Sequence, residues 1–511
     1  MNKLALIILD GWGIGENTDN NAIFKANTPF FDSIWGKYPH TILQASGEYV
    51  GLPEGQIGGS EVGHITIGAG RVLYQELPRI NRSLRFKDSQ EGIMFNANFL
   101  TMLDQAKHNA LHLIGLISTG GVHSHEEHLL LLLRILKEEG ALNPYIHFIS
   151  DGRDTGPNSG IESARRLQES LEELQFGKIV TLSGRFYAMD RDNNLNRTER
   201  AVRLIVDGTK SDENSIEPSE NPLEAAFHES YRNDVTDEFI EPVILDKSYS
   251  GVQQGEPIFF WNFRSDRMKQ LITAIQPRTL LSPILTMTQY DKSYTFPVLF
   301  EKQRVADTLG ELLSKKGLTQ LRAAETEKYA HVTYFFNGGV EVVFDGEVRS
   351  LAESNKVKHD EMPQMKAREI REQVQDAISE KHPDFILVNF ANPDMVGHTG
   401  NFAAVVEGVE TVDAQLKNLT EYLLSEDYIC CITADHGNAD IMYDLTTGEP
   451  HTAHTLNPVP FIVYSRDSQV LSNLKLDQTE ANGLSMIAGT VLDLMKIPDL
   501  NHEFESLINS Q

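Results

Sequence analysis

Cysteine is almost absent. The 511 residues hold two, Cys430 and Cys431, adjacent inside the apolar run Tyr428 to Thr433. Neighbours on a strand point to opposite faces, so a disulfide framework is excluded and a reducing, cytoplasmic setting is expected. Long apolar runs are also missing. The opening MNKLALIILDGWG has six apolar residues, Leu4 to Leu9, before Asp10, too few for a signal peptide, and no run approaches the roughly 18 residues of a membrane span. Basic residues are scarce: 45 Lys and Arg face 73 Asp and Glu, a formal charge of −28. Such a chain repels nucleic acid and anionic membrane, yet a few arginines in one cleft can still hold a small anion. Internal repeats and low-complexity tracts are lacking, and KSDENSIEPSENP (210–222) reads as a surface excursion.

What is present is an ordinary globular composition, 40% hydrophobic and 23% charged, on a chain long enough for two or three domains. Short apolar runs, LALIIL, LHLIGLIS (111–118), YIHFIS (145–150), FILVNF (385–390), YICCIT (428–433) and VPFIVY (459–464), alternate with helical stretches. The helices are expected at 125–140, 160–177, 304–317, 366–381 and 403–424. That alternation predicts an α/β protein with parallel sheets flanked by helices.

Three of the buried strands are expected to end in acidic residues: Asp10, Asp394 and Asp435, the last followed by His436. Ligands of open parallel sheets bind beyond the carboxyl ends of strands, so three distant segments can aim carboxylates at one crevice. A single such Asp would read as a helix cap or turn residue. His398, four residues after Asp394, and His454, just before VPFIVY, supply imidazoles, and a mixed carboxylate–imidazole set suits Mn²⁺ or Zn²⁺ better than Ca²⁺. Ser60 lies among glycines in GQIGGSEVGHITIGAGR (55–71), a phosphate loop, a turn, or a nucleophile that a metal cleft would activate. Arginine, whose planar guanidinium donates paired hydrogen bonds to carboxylate or phosphate, gathers in DGRD (Arg153), GRFYAMDR (Arg185, Arg191) and NFRSDR (Arg264, Arg267).

Ten blocks in order, among them DGWGIG (10–15), VGLPEGQIGGSEVGHITIGAGR (50–71), GLISTGGVHSH (115–125), DGRDTGP (151–157), AETEKYAHVTYFFNGG (324–339), NFANPDMVGHTG (389–400) and TADHGNAD (433–440), resemble the 2,3-bisphosphoglycerate-independent phosphoglycerate mutases of the alkaline phosphatase superfamily. The resemblance implies two divalent metal ions, Mn²⁺ before Mg²⁺, Zn²⁺ or Co²⁺. One would be held by Asp394, His398 and His454, the other by Asp10, Ser60, Asp435 and His436. It implies that His123, Arg153, Asp154, Arg185, Arg191, Arg264, Arg267 and Lys328 surround phosphoglycerate, with Ser60 the nucleophile and Asp154 a proton carrier. His125 and His128 are expected to be structural or solvated. Gly59 departs from the pattern, since Asn usually precedes the serine.

The metal motifs lie at both ends of the chain and the arginine motifs in the middle. An alkaline-phosphatase-like core, 1–75 with 303–511, is therefore expected to carry an inserted α/β substrate domain at 76–302, with hinges near 73–77 and 294–303. The implied reaction interconverts 3-phosphoglycerate and 2-phosphoglycerate through phosphoserine, in a monomer without nucleic-acid or membrane partners. A phosphatase or phosphodiesterase of the same superfamily would share the metals but has no need of a glycerate clamp, and a silent scaffold would not keep the full ligand set.

Overall fold

The computed structural model describes residues 1–209, 221–303, 305–472, 474–498, 500 and 503–508. Positions 210–220 of the expected surface excursion lie outside the described residues, as does Arg304 at the start of one expected helix. The chain divides into two compact units, residues 1–75 with 304–511 and residues 76–303.

Fourteen strands are found among the described residues. They are β1 (Lys3–Leu9), β2 (His40–Leu43), β3 (His112–Ile117), β4 (Tyr145–Ser150), β5 (Lys178–Gly184), β6 (Val243–Ile244), β7 (Ile258–Phe260), β8 (Ile284–Thr288), β9 (Val298–Phe300), β10 (Gln320–Glu325), β11 (Glu347–Ala352), β12 (Phe385–Phe390), β13 (Tyr428–Thr433) and β14 (Val459–Tyr464). The first unit orders its sheet β11-β10-β12-β1-β13-β14-β2 and the second β6-β5-β4-β3-β7-β8-β9. The fold class is α/β, with helices against both sheets.

Strands β1, β12 and β13 lie side by side and parallel at the centre of the first sheet. Every residue of β12 and β13 is buried, which is why they read as unbroken apolar runs. Both cysteines fall in this layer and are free. Their thiols are pushed up by burial.

Two expectations need correction. VPFIVY pairs antiparallel with β13, not parallel. The 434–458 connection contains no helix, and an antiparallel return, unlike a parallel crossover, requires none. The helix expected over 304–317 forms only as Leu309–Lys315. Asp307 sits at φ +57° and breaks it backwards, while the Thr308 side chain caps the start by accepting from the Glu311 amide. The other expected helices appear as Glu126–Glu138, Gly160–Leu174, Ala367–Lys381 and Phe402–Ser425. No described helix is long and apolar enough to cross a membrane.

Candidate active site

In the first unit, Asp10 follows β1, Asp394 stands in the first turn of the helix Asn392–Gly397 after β12, and Asp435 and His436 follow β13. Three adjacent parallel strands thus deliver three carboxylates to one edge of the sheet. Ser60 opens the helix Ser60–Ala69, where unpaired amides and the helix dipole favour an anion. Close approach here depends on glycine. A Cβ on Gly63 would stand 2.7 Å from the Asp435 carbonyl, and one on Gly11, at φ +79°, 2.8 Å from the Asp394 backbone. Gly59 is different: its φ of −169° suits any residue, and a Cβ would meet His454 Nδ1 at 3.3 Å.

Lys328, in the helix Thr326–Ala330 after β10, donates to Asp10 Oδ1 at 2.7 Å, Asp394 Oδ2 at 2.7 Å and Ser60 Oγ at 2.6 Å. His436 Nε2 lies 2.9 Å from the same Oγ, and Ser60 donates to Asp10 Oδ1 at 3.2 Å. Burial alone would lower Lys328, but Asp10, Asp394 and Asp435 overrule it and hold the ammonium well above its ordinary value. Burial would raise Asp10, and Lys328 and His436 instead depress it far below the carboxylate range. Against its own burial, His436 is raised to about 10 by Asp435, Asp10 and Asp394.

The donor set fits metal ions. His398 Nδ1 and His454 Nδ1 face the carbonyls of Thr452 and Gly58 at 2.8 and 2.9 Å, which assigns a hydrogen to each Nδ1 and turns both Nε2 toward Asp394, whose carboxylate raises His398. Those nitrogens lie 3.1 Å from each other, and 3.2 and 3.1 Å from Asp394 Oδ1. A proton on an imidazole relieves the repulsion among these atoms in metal-free protein, and a metal ion can take its place, since bonds of about 2.1 Å put ligands roughly 3.0–3.4 Å apart. Asp435 Oδ2, fully buried, has no hydrogen-bond partner. Asp10, Asp394 and His436 form a further convergent group. Ser60, Lys328, Asp394, His398 and His454 line a cavity of ≈ 410 Å³.

The second unit collects the other expected residues. His123 follows β3, Arg153 and Asp154 follow β4, Arg185 follows β5, and Arg264 and Arg267 follow β7. The sheet order reverses between β3 and β7, the position where α/β sheets bind ligands. Arg185 is buried and donates through Nη1 to Asp151 Oδ1 and Asp154 Oδ2, both at 2.6 Å. Asp266 holds Arg191 at 2.7 Å and Arg264 at 3.1 Å, and His123 Nδ1 stands 3.5 Å from it. Arg267 is lowered by burial first and then by the charges of Arg185, Arg191 and Arg153, with Asp266 opposing them. Burial, then Arg185, brings His123 down to about 4.

Several residues that organise these clusters lie inside the quoted blocks but show no sign there of the role they take. Asp151 accepts from the amides of Arg153 and Asp154 and from Ser118, shaping the DGRD loop. Asn438 donates to Asp394 Oδ1 at 2.8 Å, and His64 and Asn389 pack behind Asp10. His125 caps its helix by accepting from Glu127, and His128 is buried against Asn81 at 2.8 Å.

Comparison with known proteins gives the class first: the sequence model of the metalloenzyme superfamily matches residues 2–499. The 2,3-bisphosphoglycerate-independent phosphoglycerate mutase of Clostridioides difficile (strain 630) is 44% identical over 508 residues, covering 97% of this chain and 96% of its own. That of Clostridium perfringens (strain SM101 / Type A) is 44% identical over 506 residues, 96% of each chain. A phosphoglycerate mutase of Leishmania mexicana, solved at low cobalt concentration, superposes with a TM-score of 0.54 at 28% identity, covering 100% of this chain and 98% of that one. The chain belongs to the family of 2,3-bisphosphoglycerate-independent phosphoglycerate mutases, which are isomerases.

Proposed function

We propose that the chain interconverts 3-phosphoglycerate and 2-phosphoglycerate through a phosphoserine at Ser60, using two divalent ions, Mn²⁺ first among them. Asp394, His398 and His454 would hold one ion, and Asp10, Ser60, Asp435 and His436 the other. When bound, the ions lower the pKa of the serine and share the charge of the transferring group. In this reading the Ser60 hydroxyl gives its proton to the medium as Oγ bonds to phosphorus and the bond to the 3-oxygen breaks, and Asp154 takes a proton from the medium and passes it to that oxygen. The glycerate is retained, its 2-hydroxyl returns a proton to Asp154, and it recovers the phosphoryl group. Lys328 stays an ammonium throughout and serves as a donor to the phosphoryl oxygens. Arg153, Arg185, Arg191, Arg264 and Arg267, with His123, hold the glycerate carboxylate and phosphate, so that water does not intercept the phosphoserine. The enzyme works in the cytoplasm as a monomer on this small anion, without nucleic acid or membrane.

The observation that carries this reading is the setting of Ser60: a helix N-terminus with Lys328 at 2.6 Å and His436 at 2.9 Å from Oγ, beside a carboxylate–imidazole set that suits metal. Its test is phosphate accounting. Protein loaded with Mn²⁺ is given 3-phosphoglycerate without bisphosphoglycerate, and 2-phosphoglycerate and free phosphate are followed together. Isomer with almost no free phosphate, abolished in Ser60→Ala, is the expected result. Free phosphate without isomer would make the chain a hydrolase and overturn the proposal.

A further inference from the structure

Behind the reacting edge of Asp10 lies a pair of side chains for which the proposed reaction has no use. His64 sits one helical turn after Ser60 and Asn389 lies on β12; both are fully buried. The Asn389 amide nitrogen is 2.7 Å from Asp10 Oδ2 and 3.1 Å from His64 Nε2. A carboxylate oxygen only accepts, so Asn389 must present its NH₂ to Asp10, and its second hydrogen then points at His64 Nε2. The network therefore assigns a lone pair to Nε2 and the hydrogen to Nδ1. Nδ1 in turn donates to the Ser60 carbonyl at 2.9 Å and stands 3.2 Å from Asp435 Oδ2. In this orientation the Asn389 Oδ1 is left buried without a partner. An amide free to turn would satisfy that oxygen, so the demand of Asp10 overrides it, and rules of polar satisfaction are broken in this way at functional sites.

The geometry points to His64 and Asn389 as positioning residues that fix the Asp10, Ser60 and Asp435 group and leave the Asp394, His398 and His454 group untouched. Asn389 clamps Oδ2 of Asp10 and so turns Oδ1 toward Ser60 and Lys328. His64 ties the backbone of the nucleophile to the same chain and faces the Asp435 oxygen that accepts no hydrogen bond. The inference rests on the two-metal reading and deepens it: one of the two ions depends on this pair and the other does not.

Calorimetric titration of metal-free protein with Mn²⁺ alone reads the two sites apart from turnover. Wild type is expected to take up two ions. In Asn389→Leu one should weaken by about 10–100-fold with the other unchanged. His64→Asn, which keeps a donor for the Ser60 carbonyl and loses the acceptor for Asn389, should weaken the same ion to a smaller extent, and it carries the test if circular dichroism finds Asn389→Leu unfolded. Each variant's kcat should fall more than its KM rises, because the arginine cluster is intact. Equal weakening of both ions in a folded variant, or two ions bound with wild-type affinity in both variants, would overturn this inference alone. A wild type that takes up fewer than two ions would overturn the two-metal reading together with it.

Discussion

The two units gather charge in opposite ways. In the first, Asp10, Asp435 and His436 are wholly buried and Lys328 is 3% exposed, each held by the others. In the second, the side chains of Arg153, Arg191 and Arg264 are 52, 46 and 50% exposed and share few carboxylates. Buried charges in mutual contact cannot relax, so the first cluster is organised before any substrate arrives, which is where electrostatic catalysis gets its strength. Half-solvated arginines lose little by exchanging Asp266 for a substrate anion. On the proposed reading, chemistry is placed where charges are locked together, and recognition where rearrangement costs little.

The largest break of that contrast is Lys328→Met. It takes from Asp10 and Asp394 the nearer of the two cations they share, leaving His436 at 3.4 and 3.8 Å. Isomerisation should fall by about 10²–10³-fold, as for loss of one preorganised donor. Metal-free protein should also melt lower, because a buried charge without its partner is costly, and Mn²⁺ should restore much of the melting temperature but not the rate. A variant with wild-type turnover would refute the role given to this lysine.

Arg185 sharpens the comparison, since it is the one arginine of the second unit buried as deeply as the first unit's charges. Arg185→Met strands Asp151 and Asp154 and should cost about 3–5 kcal/mol of stability in a denaturant titration, as well as activity. Arg153→Met removes only an exposed contact to Glu238, 3.5 Å away, so stability should stay within about 0.5 kcal/mol while KM for phosphoglycerate rises. Equal losses of stability in the two variants would erase the distinction between scaffold and grip.

Legibility followed the same division. The apolar runs of β12 and β13 are readable because both faces of a central parallel strand are covered, and Asp435 and His436 follow directly. Strand β10, QLRAAE, is just as buried but was not readable, because Arg322 lies in the core between Phe336 and Phe385 and hides the pattern. Lys328, three residues beyond that strand, comes only through resemblance, since a lysine between Glu327 and Tyr329 carries no local sign of three carboxylate and hydroxyl partners. His64 and Asn389 were missed for a related reason. Their role depends on what lies 2.7–3.1 Å away across 325–379 residues of sequence. Asp394, expected at a strand end, stands instead in a helical first turn, since Asn392 and Pro393 start a helix after Phe390.

The finest division between the clusters is in their histidines, which are displaced in opposite directions. His436 is raised to about 10 because Asp435, Asp10 and Asp394 outweigh its burial, and His123 is lowered to about 4 by burial and by Arg185. For a raised group, folding gains most while the unfolded imidazole would also be charged. The His436 contribution to metal-free protein is therefore complete below about pH 6.5 and is lost as pH rises toward 10. For a lowered group the unfolded chain takes up the proton first, so the His123 contribution is complete above about pH 6.5 and is lost as pH falls toward 4. Imidazole resonances of metal-free protein, assigned with His436→Asn and His123→Gln, should accordingly show His436 protonated and His123 neutral at pH 7.5. Metal reverses the first state only: a ligand imidazole must give up its proton, so adding diamagnetic Mg²⁺ at pH 7.5 should release that proton to the medium and leave His123 unchanged. The same competition should make metal affinity fall steadily as pH drops below about 10, and activity should follow once the site is no longer saturated. Loss of the His436 proton near pH 6.5 without metal would show that its three carboxylates do not act on it as a buried group, and the contrast between the two clusters would then reduce to exposure alone.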